Sequence, residues 1–242
     1  MGHAALRASL SRNPQRRAPS GGAVALGVAL WVSGVGCAPP PAPSGPAVKQ
    51  QAPVSPLGMF SATQDIGNVR HAGSTEFDPG EGYRVTGSGA NIWGAGDEFQ
   101  FAFRELFGNA SLSARVTIDG EQGSEYRKAV VMIRESLGAD SAFVDVAVHG
   151  GGLASLQYRA RAGAETEQVR STLTAPEHVR LTRTGNTYTG AFSLDGQSWE
   201  TLGPVEVALP SKTKAGLGVC AHDVDALVTA TFRDVVVTPS NS

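Results

Sequence analysis

The chain has 242 residues, of which 41% are hydrophobic and 17% charged, and 30 of them are glycine. This size allows one domain of ordinary length plus a processed end, and the composition argues against a disordered chain or a coiled coil. With 20 basic and 22 acidic residues and no basic block, the chain offers no electrostatic reason to bind nucleic acid.

Residues 1–36 have the features of an export signal. They contain four arginines and no acidic residue, and an apolar run of ten residues, 23–32, follows the basic start. A membrane-spanning helix needs about 20 apolar residues, so this run is too short to cross a bilayer. A basic start, a short apolar run and then small residues predict a secretory signal peptide, and therefore an exported protein.

Cys37 follows the small residues 33–36 directly, and a segment rich in proline and alanine comes after it. This order resembles a bacterial lipoprotein signal, in which the cysteine is lipid-modified and anchors the protein to a membrane. We predict lipidation of Cys37 and an extended tether over 37–57; the alternative is ordinary cleavage nearby and secretion. Removal of the four arginines leaves 16 basic and 22 acidic residues, a formal charge of −6, which does not favour anionic lipid surfaces.

Residues 58–238 predict a β-sandwich domain, with 239–242 as a tail. The segment 98–104 places Phe99, Phe101 and Phe103 on one face, and such a period of two is typical of a half-buried strand. No segment shows a convincing amphipathic helical pattern. Further strands are predicted over 111–118, 127–134, 142–149, 153–160, 177–183, 187–193, 198–202, 214–221 and 226–237.

Short turns separate these strands. Gly150–Gly152, the segment 184–186 and Asp195–Gly196 are compact turn signals, and Asp195 is expected to support its hairpin with Trp199 packed beneath it. Closely spaced strands without crossover helices favour antiparallel pairing. The predicted fold is all-β: a two-sheet antiparallel jelly-roll sandwich of the concanavalin A/laminin G type.

Seven stretches, in this order, resemble a concanavalin A-like family of exported β-sandwich domains known by the term "regulation of enolase": 65–67, 83–94, 97–99, 128–136, 157–159, 179–186 and 193–199. The resemblance implies a lectin-like sandwich in an exported, often sugar-associated setting, and it supplies no catalytic residues. Similar domains often carry Asp-Asn near position 109 and Ser-His near 221, where this chain has Gly108-Asn109 and Ala221-His222.

Trp93, in the segment 88–94, is the first candidate for ligand binding. Aromatic faces stack on the apolar surfaces of sugar rings, and neighbouring polar side chains can bond to hydroxyl groups. Asn91 and Asp97 are close enough in sequence to join Trp93 in such a cluster. The alternative is that Trp93 closes the end of the sandwich core.

Lys128 and Arg134 lie six residues apart, so on one strand their side chains share a face. They could bind hydroxyl or carboxylate groups, and Tyr158 on a neighbouring hairpin could join them. A solvated sheet face is the simpler alternative. The predicted ligand-binding residues are therefore Asn91, Trp93, Asp97, Lys128, Arg134 and Tyr158.

Catalytic patterns are missing from the sequence. Lectin-like hydrolases use Glu-x-Asp-x-x-Glu, which is absent, and Asp223 with Asp225 is interpreted as part of a turn. Cys220 is expected to be a buried, inert thiol, with a nucleophilic pair formed with His222 as the minor alternative. We therefore predict no catalytic residues.

Calcium is conceivable in a sandwich module, and the candidate ligands are Asp65, Asp223, Asp225 and Asp234. No loop has the dense acidic spacing of a calcium site, so no metal site and no cofactor is predicted. The sequence favours a non-catalytic module that binds a glycan or another component of the cell envelope. The alternatives are a structural or protein-interaction subunit of the envelope and a glycoside hydrolase-like enzyme.

Overall fold

The computed structural model describes residues 55–239. The predicted signal peptide, Cys37 and most of the predicted tether lie outside the described residues. Residues 55–239 contain no helix, and accordingly none whose length and apolar character would let it cross a membrane.

Sixteen strands make up the described part of the chain. They are β1 (Ala62–Ile66), β2 (Ser74–Asp78), β3 (Gly82–Gly89), β4 (Ile92–Trp93), β5 (Gly96–Asp97), β6 (Phe99–Phe107), β7 (Ala110–Ile118), β8 (Lys128–Arg134), β9 (Phe143–His149), β10 (Ala154–Arg159), β11 (Glu167–Arg170), β12 (His178–Thr184), β13 (Thr187–Ser193), β14 (Glu200–Glu206), β15 (Lys212–Cys220) and β16 (Asp223–Pro239).

Two seven-stranded sheets form the sandwich. The first sheet has the order β1-β6-β15-β8-β9-β10-β11, and the second has the order β14-β13-β12-β7-β16-β3-β2. The strand pairs are antiparallel, and β4 and β5 form a separate small hairpin. The predicted all-β, two-sheet antiparallel sandwich is confirmed.

The main core lies between the sheets. Alternate residues of the first sheet, such as Val131 and Val146, pack there with Leu181 and Phe192 of the second sheet. This arrangement follows from the period of two, which sends every second side chain of a strand to the same face.

A second apolar cluster covers the outer face of the first sheet, the face turned away from the second sheet. Phe99, Phe101 and Phe103 lie in it, and Ile92 of the β4–β5 hairpin covers them. Strands β8 and β9 are consequently buried along their whole length. The alternation of phenylalanines thus correctly predicts a strand, but these rings fill the outer cluster rather than the main core.

Some strands differ from the sequence prediction. Strands β1 to β5 and β11 were not predicted individually, because they are short or rich in glycine and polar residues. Asp223 and Asp225 belong to the start of β16 instead of a turn, although a register shift between Asp223 and Val228 interrupts the pairing there. Both carboxylates remain exposed.

The predicted Asp195 hairpin is present. The Asp195 carboxylate accepts hydrogen bonds from the backbone N–H groups of Gln197 and Ser198, each at 2.8 Å. These bonds stabilise the ionised form and lower the pKa of Asp195 to about 2. Trp199 is half-buried and donates from Nε1 to the carbonyl oxygen of Gly196.

Replacing Tyr188 by phenylalanine is expected to stabilise the protein by about 1 kcal/mol, because an unpartnered buried hydroxyl group would be removed. Tyr188 is fully buried, and its hydroxyl has no hydrogen-bond partner within residues 55–239. Denaturant unfolding measures the change. Tyr158→Phe is the control, because the Tyr158 hydroxyl donates to Glu167 at 2.8 Å and should give no gain. An unchanged or lower stability of Tyr188→Phe would contradict the prediction.

Candidate ligand pocket

The β4–β5 hairpin lies over the outer face of the first sheet and is fixed there by two basic side chains. Lys128 donates from Nζ to the carbonyl oxygen of Ile92 at 3.1 Å. Arg159 donates from Nε and Nη2 to the carbonyl oxygen of Gly94, at 3.1 and 3.0 Å. Because both donors come from the sheet, these bonds set the position of the hairpin relative to strands β8 and β10.

Asp97, at the end of the hairpin, is held by two arginines. Arg159 binds its carboxylate in a bidentate manner, at 2.7 and 2.9 Å, and Arg134 donates to it at 3.3 Å. The three side chains have no exposed surface. Burial raises the pKa of Asp97, and the hydrogen bond from Arg159 and the charge of Arg134 oppose that shift. This triad is a buried clamp between the hairpin and the sheet.

A pocket of about 260 Å³ opens beside the hairpin. Its lining comes from the hairpin, from the outer face of β8, β9 and β10, from the edge strand β11 and from nearby loops. The lining residues are Asn91, Trp93, Tyr126, Lys128, His149, Leu153, Gln157, Gln168, Arg170 and His222.

The buried part of the pocket lining is polar. Lys128 is only 2% exposed, and the side-chain oxygen of Gln157 lies 3.5 Å from its Nζ. Burial lowers the pKa of Lys128, and the charge of Asp145 on β9 opposes that shift. The Gln157 amide nitrogen donates to Ser155 at 3.0 Å, which fixes the orientation of the amide. The pocket therefore presents an ammonium and an amide on a rigid sheet.

His149 adds a hydrogen-bond acceptor to this lining. Its Nδ1 lies 3.0 Å from the carbonyl oxygen of Leu153. A carbonyl can only accept, so Nδ1 carries the proton and Nε2 keeps its lone pair. Burial lowers the pKa of His149 to about 4, and the charge of Lys128 contributes to the shift. The ring is thus neutral at neutral pH.

Two aromatic side chains contribute to the same pocket. Trp93 is half-buried, and its ring centroid lies 5.8 Å from the Nζ of Lys128. Tyr126 is 50% exposed, and its ring contacts the His222 ring with a centroid separation of 5.3 Å. Trp93 is not part of either apolar cluster. It therefore does not close the end of the core, which was the alternative.

The structure brings together three of the six predicted binding residues, namely Asn91, Trp93 and Lys128. Asp97 and Arg134 belong to the buried clamp and expose no side-chain surface to a ligand. Tyr158 lies on the opposite face of β10, where it packs against the main core. These three residues are therefore removed from the candidate site.

Sequence reasoning missed the other lining residues. Gln157 alternates with Tyr158 along β10, so the same period of two that was applied to Lys128 and Arg134 could have identified its face. His149, Arg170 and His222 gave no such signal, since only the strand order brings β9, β11 and the end of β15 close to the hairpin.

The other chemical candidates take structural positions. Cys220 is buried, and burial raises the pKa of its thiol to about 11, which disfavours a reactive thiolate. Asp65 accepts hydrogen bonds from the backbone N–H of Gly73, and Asp225 pairs with Arg70. Within residues 55–239, no group of three or more histidine, cysteine or acidic side chains is arranged to hold a metal ion.

Larger cavities, of about 360 to 580 Å³, lie elsewhere on the sandwich. One, of about 430 Å³, is bordered by Glu121 and Glu177 and contains no Phe, Trp or Tyr. Another, of about 580 Å³, is bordered by Ser55, the first residue that the structure describes. The pocket beside the hairpin is smaller, but it combines an accessible tryptophan with buried hydrogen-bonding groups, which is the usual composition of a small-molecule site.

Comparisons with known proteins support the fold. A scan of protein-family models and a search of curated proteins gave no match, so the "regulation of enolase" family is not shown. Among solved structures, a functionally unknown protein from Saccharomyces cerevisiae is similar, with a TM-score of 0.57 and 14% identity over 74% of this chain and 97% of that chain. The GH43 protein BlXynB from Bacillus licheniformis has a TM-score of 0.54 and 14% identity over 81% of this chain.

A third similar structure is the carbohydrate-binding module CBM66 from Bacillus subtilis, with a TM-score of 0.49 and 13% identity over 74% of this chain and 97% of that module. The chain spans only 41% of the GH43 protein. The two structures with TM-scores above 0.5 show a shared sandwich fold and leave the function to be argued from the pocket.

Proposed function

We propose that this protein is an exported, lipid-anchored β-sandwich module that binds carbohydrate in the pocket beside the β4–β5 hairpin, without catalysing a reaction. The observation that carries the proposal is the half-buried Trp93 at a pocket whose buried lining is polar. Sugar rings have apolar faces and hydroxyl-bearing edges, so they need an aromatic surface beside hydrogen-bonding groups.

The polar lining can serve both kinds of hydroxyl contact. Lys128 and the amide nitrogen of Asn91 are donors, while Nε2 of His149 and the side-chain oxygens of Asn91 and Gln157 are acceptors. The volume of about 260 Å³ is below the roughly 300 Å³ at which drug-sized sites begin. The pocket therefore suits one sugar ring, such as the end or a side branch of a glycan.

The absence of catalysis is proposed from the same lining. Hydrolysis of a glycosidic bond ordinarily requires two carboxyl groups flanking the bond. Neither Asp nor Glu is among the pocket residues, and the nearby Asp97 is engaged by Arg134 and Arg159. Export and lipid anchoring rest on the signal-like residues 1–36 and on Cys37, and they agree with the exported setting that the "regulation of enolase" resemblance implies.

Replacing Trp93 by alanine is expected to weaken glycan binding by roughly thirtyfold, or about 2 kcal/mol, which is typical of the loss of a buried aromatic contact. The measurement is a glycan-array screen of the purified protein, followed by titration calorimetry with the sugar class that binds. Wild-type protein should bind one class saturably.

Trp199→Ala is the matched control, because Trp199 lies in the β13–β14 hairpin and not in the pocket. It should retain wild-type affinity, provided that circular dichroism shows both variants folded. Equal loss in the two variants would place the effect outside the pocket. A folded wild-type protein that binds no glycan on the array would refute the carbohydrate proposal.

A further inference from the structure

The charge of the pocket lining differs from that of the rest of the described surface. Its ionisable side chains other than Tyr126 are bases, namely Lys128, His149, Arg170 and His222, and no carboxylate lines it. The chain as a whole has more acidic than basic residues. Each of four other cavities of the described domain, with volumes from 360 to 580 Å³, includes at least one Asp or Glu.

Arg170 is one of two cations positioned to meet a negative ligand group. It is exposed on β11 and forms no ion pair with any residue between 55 and 239. With the Gln168 amide oxygen turned toward the guanidinium, Nε and Nη2 donate to it at 3.1 Å each. The edge formed by Nη1 and Nη2 is thereby left for another acceptor, and its fork geometry matches a carboxylate.

Lys128 is the second cation, and it is buried without a hydrogen-bonded counter-ion. An ammonium has three donors. Ile92 and Gln157 accept two of them, the latter at the long distance of 3.5 Å. Asp145 is the nearby acid, yet neither of its carboxylate oxygens has a hydrogen-bond partner in the described domain. An anionic ligand group would supply the acceptor that Lys128 lacks, and a buried cation gains most from such a partner.

From this lining we propose that the bound sugar is a uronic acid, with its ring on Trp93 and its carboxylate taken by Arg170 and Lys128. This inference rests on the proposed function, because it names the substrate class of the same pocket. The volume admits a single ring, so the uronate is recognised as one residue at the end or on a side branch of a polysaccharide. A neutral sugar would leave both cations without a hydrogen-bonded counter-ion.

The test compares pairs of oligosaccharides that differ only at C6, where one member carries a hydroxyl and the other a carboxylate: glucan with glucuronan, mannan with mannuronan, and galactan with galacturonan. Affinities are measured with the purified protein by calorimetry. We expect at least tenfold tighter binding of the acidic member in at least one pair. Equal or tighter binding of the neutral members, or no binding to any member, would overturn the uronate assignment. The glycan array then distinguishes this outcome from failure of the carbohydrate proposal itself, which requires that no glycan binds.

The variant Arg170→Gln tests the residue assigned to the carboxylate. Arg170 is exposed, so the substitution should not affect folding. We expect the affinity for the acidic member to fall at least tenfold, and the preference for the acidic over the neutral member to be lost. Arg104→Gln, at an exposed position of β6 outside the pocket, should bind like the wild type. An unchanged acidic affinity in Arg170→Gln, or an equal loss in Arg104→Gln, would overturn the assignment.

Discussion

The variant Asp97→Asn is expected to lose about 3–5 kcal/mol of the free energy of unfolding, which is typical when one partner of a buried ion pair is removed. Asparagine keeps the shape of the side chain but not its charge. Arg134 and Arg159 would then remain as buried guanidinium groups without the carboxylate that they bind directly. Arginine cannot deprotonate in response, so the protein cannot escape this cost by neutralising them.

Urea unfolding with linear extrapolation measures the loss. Asp225→Asn is the matched control, since the Asp225–Arg70 pair is exposed on both sides and should contribute at most about 1 kcal/mol. In addition, Arg159→Met should cost less in the Asp97→Asn background than in the wild type, because the pair is already broken. A loss no larger than that of the control would show that Asp97 does not act as a buried anion.

The clamp also connects stability to binding. Trp93 belongs to the β4–β5 hairpin and Asn91 directly precedes it, and Asp97 fixes the hairpin to Arg159 of β10. The same arginine donates to the carbonyl oxygens of Gly94 and Ser141, so it also holds the loop that follows β8. The buried ions therefore position the proposed binding surface, and they do so without contacting the ligand themselves.

Periodicity predicts the strands of this fold but not the faces they bury. Phe99, Phe101 and Phe103 mark β6 because alternate side chains share one face. The same pattern would arise whether that face lies between the sheets or outside them. Only the folded chain places the β4–β5 hairpin over the outer face, and this hairpin is too short to give a periodic signal.

The same limit applies to the site. Lys128 and Arg134 share a face of β8, as their spacing predicts, but only Lys128 borders the pocket. Arg134 lies under the hairpin, because its guanidinium binds the carboxylate of Asp97 there. Arg170 and His149 enter the pocket through the order of strands in the sheet, which depends on contacts between residues far apart in sequence and leaves no local pattern.

His149 is expected to make the protein less stable as the pH falls. Its pKa is about 4 in the folded state, because burial and then the charge of Lys128 oppose protonation, and 6.5 in an unfolded chain. Between these values the unfolded state binds a proton that the folded state does not. The stability associated with the neutral ring is therefore complete above pH 6.5 and is lost as the pH falls toward 4.

The lowered pKa of His149 corresponds to a loss of roughly 3 kcal/mol in the free energy of unfolding between pH 6.5 and pH 4. Replacing His149 by asparagine removes the titration and keeps a donor for the carbonyl oxygen of Leu153, since the Asn amide nitrogen occupies a position similar to Nδ1. Between pH 7 and pH 4, the free energy of unfolding of His149→Asn should therefore fall by about 3 kcal/mol less than that of the wild type. Other groups titrate in this range, so the difference between the two proteins is the informative quantity.

Urea unfolding at half-unit steps from pH 7 to pH 4 gives the two curves. His71→Asn serves as the control because His71 is exposed, and its curve should follow that of the wild type. The NMR signals of the His149 ring should also stay in the neutral form down to about pH 5, since the pKa lies near 4. Parallel curves for His149→Asn and the wild type would mean that the pKa of His149 is the same in the folded and unfolded states, close to 6.5. Below that pH its Nε2 would be a donor, and the pocket would gain a third cation beside Lys128 and Arg170.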